Sequence, residues 1–408
     1  MNLSKIKNKQ LFFTDFVNIW WMLIGFSFLF RIAWLNIFNP IGIILVIIDI
    51  KKNGYKKNEF LLPILLWFIA YFIATLFTTV KIETSLSGFG REIWRFVPFF
   101  ISFNLLKYIK YKIFLFASIF SLIIIQLINI GEFVAFHGRL RSIGVGQGAI
   151  HEGIISTAFV SYFLSLFLFK EKKKVYFLYI MIGIVSLLTT ITRGAWIALV
   201  VTVIYLYIKR YKIKGIITAI IFLIIFSLII FISTPLKTRV KSIYTGITYY
   251  ENTGKAKGSV STRLYIWEKT IEKIPEKVFL GWGPRSFKST TKIKSEDQRK
   301  GKVRYYSHPH NNFLYLIFET GFVGLIAYLF LWIFIWKKIT EKEKKNTGEE
   351  IGNIIGIKSI IITFWITGLF DTTMRMTYIV TLLFYYIIIL LYQKDTTTKD
   401  YYDKQAIK

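Results

Sequence analysis

The chain has 408 residues, 54% of them hydrophobic, with 7 Pro and no Cys. The missing cysteines exclude disulfides, thiolate nucleophiles and most structural zinc sites. A formal net charge of +30 would suit nucleic acid, but the lysines sit between apolar runs of membrane-spanning length and read as juxtamembrane charge that sets topology.

From the start, Met1 to Gln10 carries Lys5, Lys7 and Lys9. Asp15 interrupts the apolar region behind them and no small-residue cleavage pattern follows, so a retained first span is expected. Spans are expected at about 13–30, 32–50, 60–78, 93–107, 113–131, 152–169, 175–191, 194–208, 215–233, 312–336, 354–370 and 375–392. The first two are joined tightly at Arg31, and Pro40 bends the second. The fold class is therefore an all-α polytopic membrane protein with about twelve transmembrane helices.

The cations support this alternation. Lys51 to Lys57, Lys107/Lys110/Lys112, Lys170 to Lys174, Lys209/Arg210/Lys212/Lys214 and Lys337 to Lys345 all fall on one side, together with both termini. By the positive-inside rule that side is the cytoplasm. Three regions follow: 1–233, an N-terminal bundle of about nine spans; 234–311, an external loop with an amphipathic helix; and 312–408, C-terminal spans and a cytoplasmic tail. The segment from Thr234 to Asn311 holds 17 Lys or Arg against 6 Asp or Glu, and this outer excess of cations calls for an anionic partner such as phosphate.

Arg193, in Thr192-Arg193-Gly194-Ala195-Trp196, opens a span on the outer face. The helix dipole disfavours a cation there, whereas a bound anion would draw the backbone N–H groups and the guanidinium together. Gly194 would leave room for that ligand; an arginine reaching to lipid head groups is the structural alternative. Further on, Ser261-Thr262 reads as a helix cap. Leu264, Trp267, Ile271 and Ile274 follow at helical spacing until Pro275, which describes an amphipathic interfacial helix. Arg263 and Trp267 are neighbours on it, a guanidinium beside an indole that suits a sugar phosphate. The Gly281-Trp282-Gly283-Pro284 run reads as a turn.

All four histidines, His137, His151, His308 and His310, fall in outer connections. His310 stands just before a span, and an imidazole is the side chain suited to general base catalysis near neutrality. His308-Pro309-His310 lacks enough further ligands nearby to favour a metal site.

His310-Asn311 followed by Gly321-Phe322-Val323-Gly324 resembles the signature of the O-antigen ligase and polymerase family at the start of a late span. Thr192-Arg193-Gly194-Ala195-Trp196 resembles that family's short arginine motif. Ser261-Thr262-Arg263 and Phe279-Leu280-Gly281-Trp282-Gly283 are similar to its large external loop. The resemblance implies a GT-C-like integral-membrane glycosyltransferase of the bacterial inner membrane, with its active site facing the periplasm and no metal or other cofactor. It implies a donor glycan on undecaprenyl pyrophosphate, transferred with inversion to a lipid A–core sugar. Arg193 and Arg263 would hold the pyrophosphate and His310 would activate the acceptor, with His308 close enough to share the role. Asn311, Trp267, His308 and Arg141, the last within Arg139-Leu140-Arg141-Ser142-Ile143-Gly144, are the expected substrate contacts.

Two alternatives use the same layout. A polysaccharide polymerase would use the same donor with a carrier-linked acceptor. A lipid-linked oligosaccharide transporter would usually place ionisable groups inside its spans, where this chain has Glu319 as the main exception.

Overall fold

The computed structural model describes residues 3–137, 142, 148–170, 174–294, 305–346 and 350–392. Its helices in chain order are α1 (Leu3–Gly25), α2 (Ser27–Asn53), α3 (Leu61–Leu76), α4 (Ile82–Leu105), α5 (Tyr111–Ala135), α6 (Ala149–Phe169) and α7 (Lys174–Thr189). There follow α8 (Arg193–Tyr211), α9 (Lys214–Ile232), α10 (Thr234–Thr253), α11 (Gly258–Lys273), α12 (Phe287–Thr291), α13 (Asn312–Lys345), α14 (Glu350–Gly368) and α15 (Thr377–Tyr392). Among the described residues the only strand-like feature is an isolated bridge between Lys294 and Tyr305. The protein is an all-α polytopic membrane protein.

Among the described residues, seven helices are long and apolar enough to cross a membrane: α2, α5, α6, α8, α9, α13 and α14. Four shorter apolar helices, over Leu11–Gly25, Leu61–Leu76, Lys174–Thr189 and Thr377–Tyr392, accompany them. The expected span at 93–107 is the second half of α4, whose first half carries Glu83, Arg91 and Glu92. The expected break at Arg31 is present as a kink inside α2 (φ 61, ψ −138), while the chain also leaves the helix at Phe26. Helix α11 starts at Gly258, ahead of the expected cap. Ser261 lies in its first turn, where its hydroxyl accepts from Lys257 N–H at 2.8 Å.

The chain divides into two compact units. One comprises 1–59, 95–125 and 377–408. Its interior stacks Trp20 and Trp21 edge-on against Tyr385, whose hydroxyl donates to Asn39 Oδ1 at 2.8 Å. Asp49 is buried there and accepts from Tyr108 at 2.6 Å and Asn104 at 3.0 Å, with Lys107 Nζ 2.9 Å away. A buried carboxylate is tolerated because these donors replace water.

The other unit comprises 60–94 and 126–376. In it α6 packs on α7 and α14, α8 on α14, α13 on α3, and α10 on α11. Its organising contact is between backbones. Gly321 breaks α13 with φ 65 and ψ −170, a conformation open to glycine alone. The interrupted helical bonds are exchanged with the Val278–Gly283 segment. Trp282 N and Gly283 N donate to Phe318 O and Glu319 O at 2.8 and 3.0 Å, and Phe322 N and Val323 N donate to Val278 O and Phe279 O at 2.9 and 3.2 Å. The Gly281-Trp282-Gly283 run therefore splices into a helix as well as turning the chain. Ile266, Phe287, Ile293 and Phe318 close a small core beneath it, with Trp282 stacked on Phe318. This core binds α11 to the start of α13.

Neither glycine of the splice has room for a side chain. A Cβ on Gly321 would lie 2.1 Å from Phe279 O, and one on Gly281 would lie 2.6 Å from the backbone of Glu319 and Gly321. Gly321→Ala and Gly281→Ala should each cost about 3 kcal/mol or more of stability. Gly90→Ala, inside α4 with nothing within 4 Å of its Cβ position, should be neutral or stabilising by about 0.5–1 kcal/mol. Thermal unfolding in detergent compares the three; equal melting temperatures would remove the splice from its structural role.

Candidate active site

Segments far apart in the chain meet in the larger unit. Helix α8 starts at Arg193 after Ile191 takes a left-handed backbone (φ 50), a strained conformation for a β-branched residue. Thr192 Oγ1 donates to Ala149 O at 2.9 Å and anchors that turn on α6. The Arg193 fork reaches across two helices: Nη1 donates to Ser242 Oγ of α10 at 3.1 Å, and Nη2 to Ser259 Oγ of α11 at 2.6 Å. Gly194 lies on the wall of a cavity together with Phe370, whose Cβ is 3.1 Å from the Gly194 Cβ position.

Asn311 caps α13. Its Oδ1 accepts from Phe313 N–H and Leu314 N–H at 2.9 and 3.1 Å, and its Nδ2 donates to Leu369 O at 3.1 Å. Both ends of this amide are thus engaged within the chain. The next side chain, Asn312, is buried and joins α13 to the turn after α14, donating to Thr373 Oγ1 at 2.7 Å and accepting from Met374 N–H at 3.1 Å. Ahead of the cap, His310 is left-handed (φ 53) and its Nδ1 lies 3.2 Å from Asp371 Oδ1. Trp267 Nε1 donates to Pro309 O at 2.9 Å, which ties α11 to this loop.

Asp371 joins the parts. Its Oδ1 also accepts from Thr372 N–H at 2.7 Å, and its Oδ2 lies 3.8 Å from Arg263 Nη2. Burial opposes its charge, but the His310 hydrogen bond and the positive charges around it prevail and hold the carboxyl well below its usual range. Burial also lowers Arg263, a shift resisted by Asp371 and Tyr306. His308 is held well below the ordinary imidazole value by burial and then by charge on His310 and Arg375. Its Nδ1 accepts from His310 N–H at 3.3 Å and lies 3.1 Å from Thr372 Oγ1, so in its neutral form the proton sits on Nε2.

Two cavities adjoin this cluster. One, of about 270 Å³, is lined by Arg193, Arg239, Arg263 and Trp267 among mostly apolar side chains. The other, of about 440 Å³, is lined by His151, Ser307, His308, His310, Thr372 and Arg375. Asp371 belongs to the wall of both. His308, His310 and Asp371 also offer ligand atoms within 4.8 Å of one another and, among the described residues, form a group that could hold a metal ion. Both Nδ1 atoms already have partners, and the Arg263 guanidinium beside Asp371 opposes a second cation.

Of the residues expected from the sequence, Arg193, Arg263 and Trp267 border the first cavity and His308 and His310 the second. Arg141 lies outside the described residues. Sequence reasoning did not single out Asp371, Arg239 or Arg375 as site residues. Asp371 had a signal, being the one acidic residue between Glu350 and Asp395 and standing at the end of a late span.

Residues 178–329 match the family model of the O-antigen ligases. That stretch contains both arginines, Trp267 and the two histidines expected from the sequence. Over 91 residues the chain is 37% identical to a Rickettsia conorii protein named "Putative polysaccharide ligase", and 34% identical to one of that name from Rickettsia felis. Each match covers 22% of this chain and 22% of the relative's own length.

Asp371→Asn should lower the melting temperature at neutral pH. The depressed folded pKa makes the carboxylate's contribution complete above its ordinary value of 3.8, and lost as the pH falls through the lower folded value. The gap between variant and wild type should therefore close only in acid below that value. Unfolding curves across pH test this, and a gap that closes near neutrality would contradict it.

Proposed function

We propose that this protein is a ligase-type glycosyltransferase. It would move a glycan from undecaprenyl pyrophosphate to a hydroxyl of a lipid A–core sugar on the outer face of the bacterial inner membrane. The observation that carries this reading is the wall shared by the two cavities. A cation-lined, mostly apolar cavity suits the diphosphate and the start of a prenyl chain, and an imidazole-lined one suits a sugar hydroxyl. Asp371 contacts Arg263 on one side and His310 on the other. The match to O-antigen ligases and the name of the Rickettsia relatives support transfer of a polysaccharide.

In this reading Arg193 and Arg263 hold the diphosphate and stabilise the charge that develops on it as it leaves. His310 donates its Nδ1 proton to Asp371, so Nε2 keeps a lone pair and takes the acceptor's proton. The acceptor oxygen bonds to the anomeric carbon from the face opposite the carrier. The bond from that carbon to the diphosphate oxygen breaks, and the diphosphate departs with the electron pair. Asp371 then offsets the charge of the imidazolium, as the orienting carboxylate of a catalytic triad does. The base is His310 in preference to His308, whose Nδ1 is engaged by His310 N–H and Thr372 and whose protonated form burial and the neighbouring charges disfavour. No metal takes part in these steps.

In liposomes with purified carrier-linked glycan and acceptor, His310→Ala should abolish transfer while the protein remains inserted. Arg193→Lys should lose about tenfold or more, because a point charge cannot reproduce two directed contacts. Excess chelator should leave the wild-type rate unchanged. Full transfer by His310→Ala would remove the proposed base. In cells lacking the protein, long carrier-linked chains should accumulate; acceptors capped with single repeats would instead indicate a polymerase.

A further inference from the structure

The imidazole-lined cavity, of about 440 Å³, has the size of an ordinary small-ligand pocket, and a cation on its wall lacks a counter-charge. Arg375 ends the short turn Thr373–Arg375 that follows α14. Asp371 is the acid on this wall, and it is taken by His310 and Arg263. Among the described residues no carboxylate pairs with Arg375. Its Nη1 donates to Ser307 O and Oγ at 2.5 and 3.0 Å, and its guanidinium carbon lies 5.9 Å from the centre of the Tyr315 ring. These contacts fix the plane of the fork. Among the described residues Nε and Nη2 form no hydrogen bond. Those two nitrogens share one edge of the guanidinium, the edge that can grip both oxygens of a carboxylate or phosphate. His308 registers the field of the cavity, being lowered by burial and then by the charges of His310 and Arg375. A proton taken up by His310 adds a further positive charge to this wall, and an anion held beside it offsets that charge.

We propose that Arg375 selects acceptors that carry an anionic group, a carboxylate or a phosphate, close to the hydroxyl that receives the glycan. The proposal rests on the transfer reading given above and adds the charge of the acceptor to it. Arg375 lines the imidazole-bearing cavity and not the one lined by Arg193 and Arg263, so it is placed to meet the acceptor and not the departing diphosphate. Its Nε–Nη2 edge holds the anion while His310 takes the hydroxyl proton, and the hydroxyl is thus positioned by a contact outside the reacting atoms. Ser307 keeps the fork in step with the imidazole, because it belongs to the loop that carries His310 and both of its oxygens accept from Arg375 Nη1. A neutral acceptor leaves that edge to water and is held less often in the geometry of attack.

Transfer by the full-length protein in liposomes tests this, with carrier-linked glycan as donor. The acceptor probes are lipid A–core isolated from cells lacking the protein, in three forms: untreated, with its carboxylates amidated, and with its phosphates removed. For the wild type, kcat/KM should fall about tenfold or more on at least one treated form, the scale of one charged hydrogen-bonding contact, and the treatment responsible identifies the group that is read. In Arg375→Gln the ratio between untreated and treated acceptor should come to within about threefold of unity, since the two changes remove the same contact. Arg375→Lys, which keeps the charge but not the two-nitrogen edge, should give an intermediate ratio and serves if the glutamine variant unfolds. A wild type indifferent to both treatments would overturn the proposal. So would an unaltered ratio in the variants, whatever their absolute rates, which is the pattern of an arginine that only braces the Ser307 loop. Absence of wild-type transfer to all three forms would instead overturn the ligase reading beneath it.

Discussion

The larger unit depends on an exchange of hydrogen bonds between two backbones. A helix interrupted in an apolar medium leaves amides and carbonyls without partners, and each such group is costly there. Here the break of α13 at Gly321 is completed by a loop that arrives from outside the helix. Because main chain bonds to main chain, the register between loop and helix is set to the residue. The Ile266–Phe318 core then carries that register to α11. Arg263 on α11 and His310 before α13 thereby acquire a defined separation, although 46 positions of sequence lie between them.

The cluster around Asp371 shows why so many charges can share a confined place. One buried carboxylate faces an imidazole on one oxygen and a guanidinium on the other. Removing it would leave the cations facing one another with nothing between. The left-handed residues Ile191 and His310 lie where the chain turns sharply into a helix, and capping and tertiary hydrogen bonds hold both turns. Strain of this kind persists only where the surroundings over-determine it.

The fold class was legible because apolar runs of spanning length and alternating cation clusters are local properties of the chain. So were Arg193, Arg263 and the histidines, each placed at a helix start or an amphipathic face by its neighbours. Asp371 was visible only as the place of a short connection. Its importance comes from meeting His310 and Arg263, and no periodicity encodes that meeting. Arg239 looked like one more cation in a basic segment until α10 laid it beside Arg263. The Gly281-Trp282-Gly283 run read as a turn because its partner, the gap in α13, lies about forty residues further on. Gly194 marks a close approach on the wall of the arginine-lined cavity, where Phe370 is its near neighbour.

The bond from the Trp267 indole to the Pro309 carbonyl has a mechanical consequence. It crosses from the helix bearing one arginine to the loop bearing the imidazole, and Asn311 pins the far end of that loop to Leu369. The positions of Arg263 and His310 are therefore coupled through two hydrogen bonds, so the Trp267 indole is part of what holds the two cavities in register.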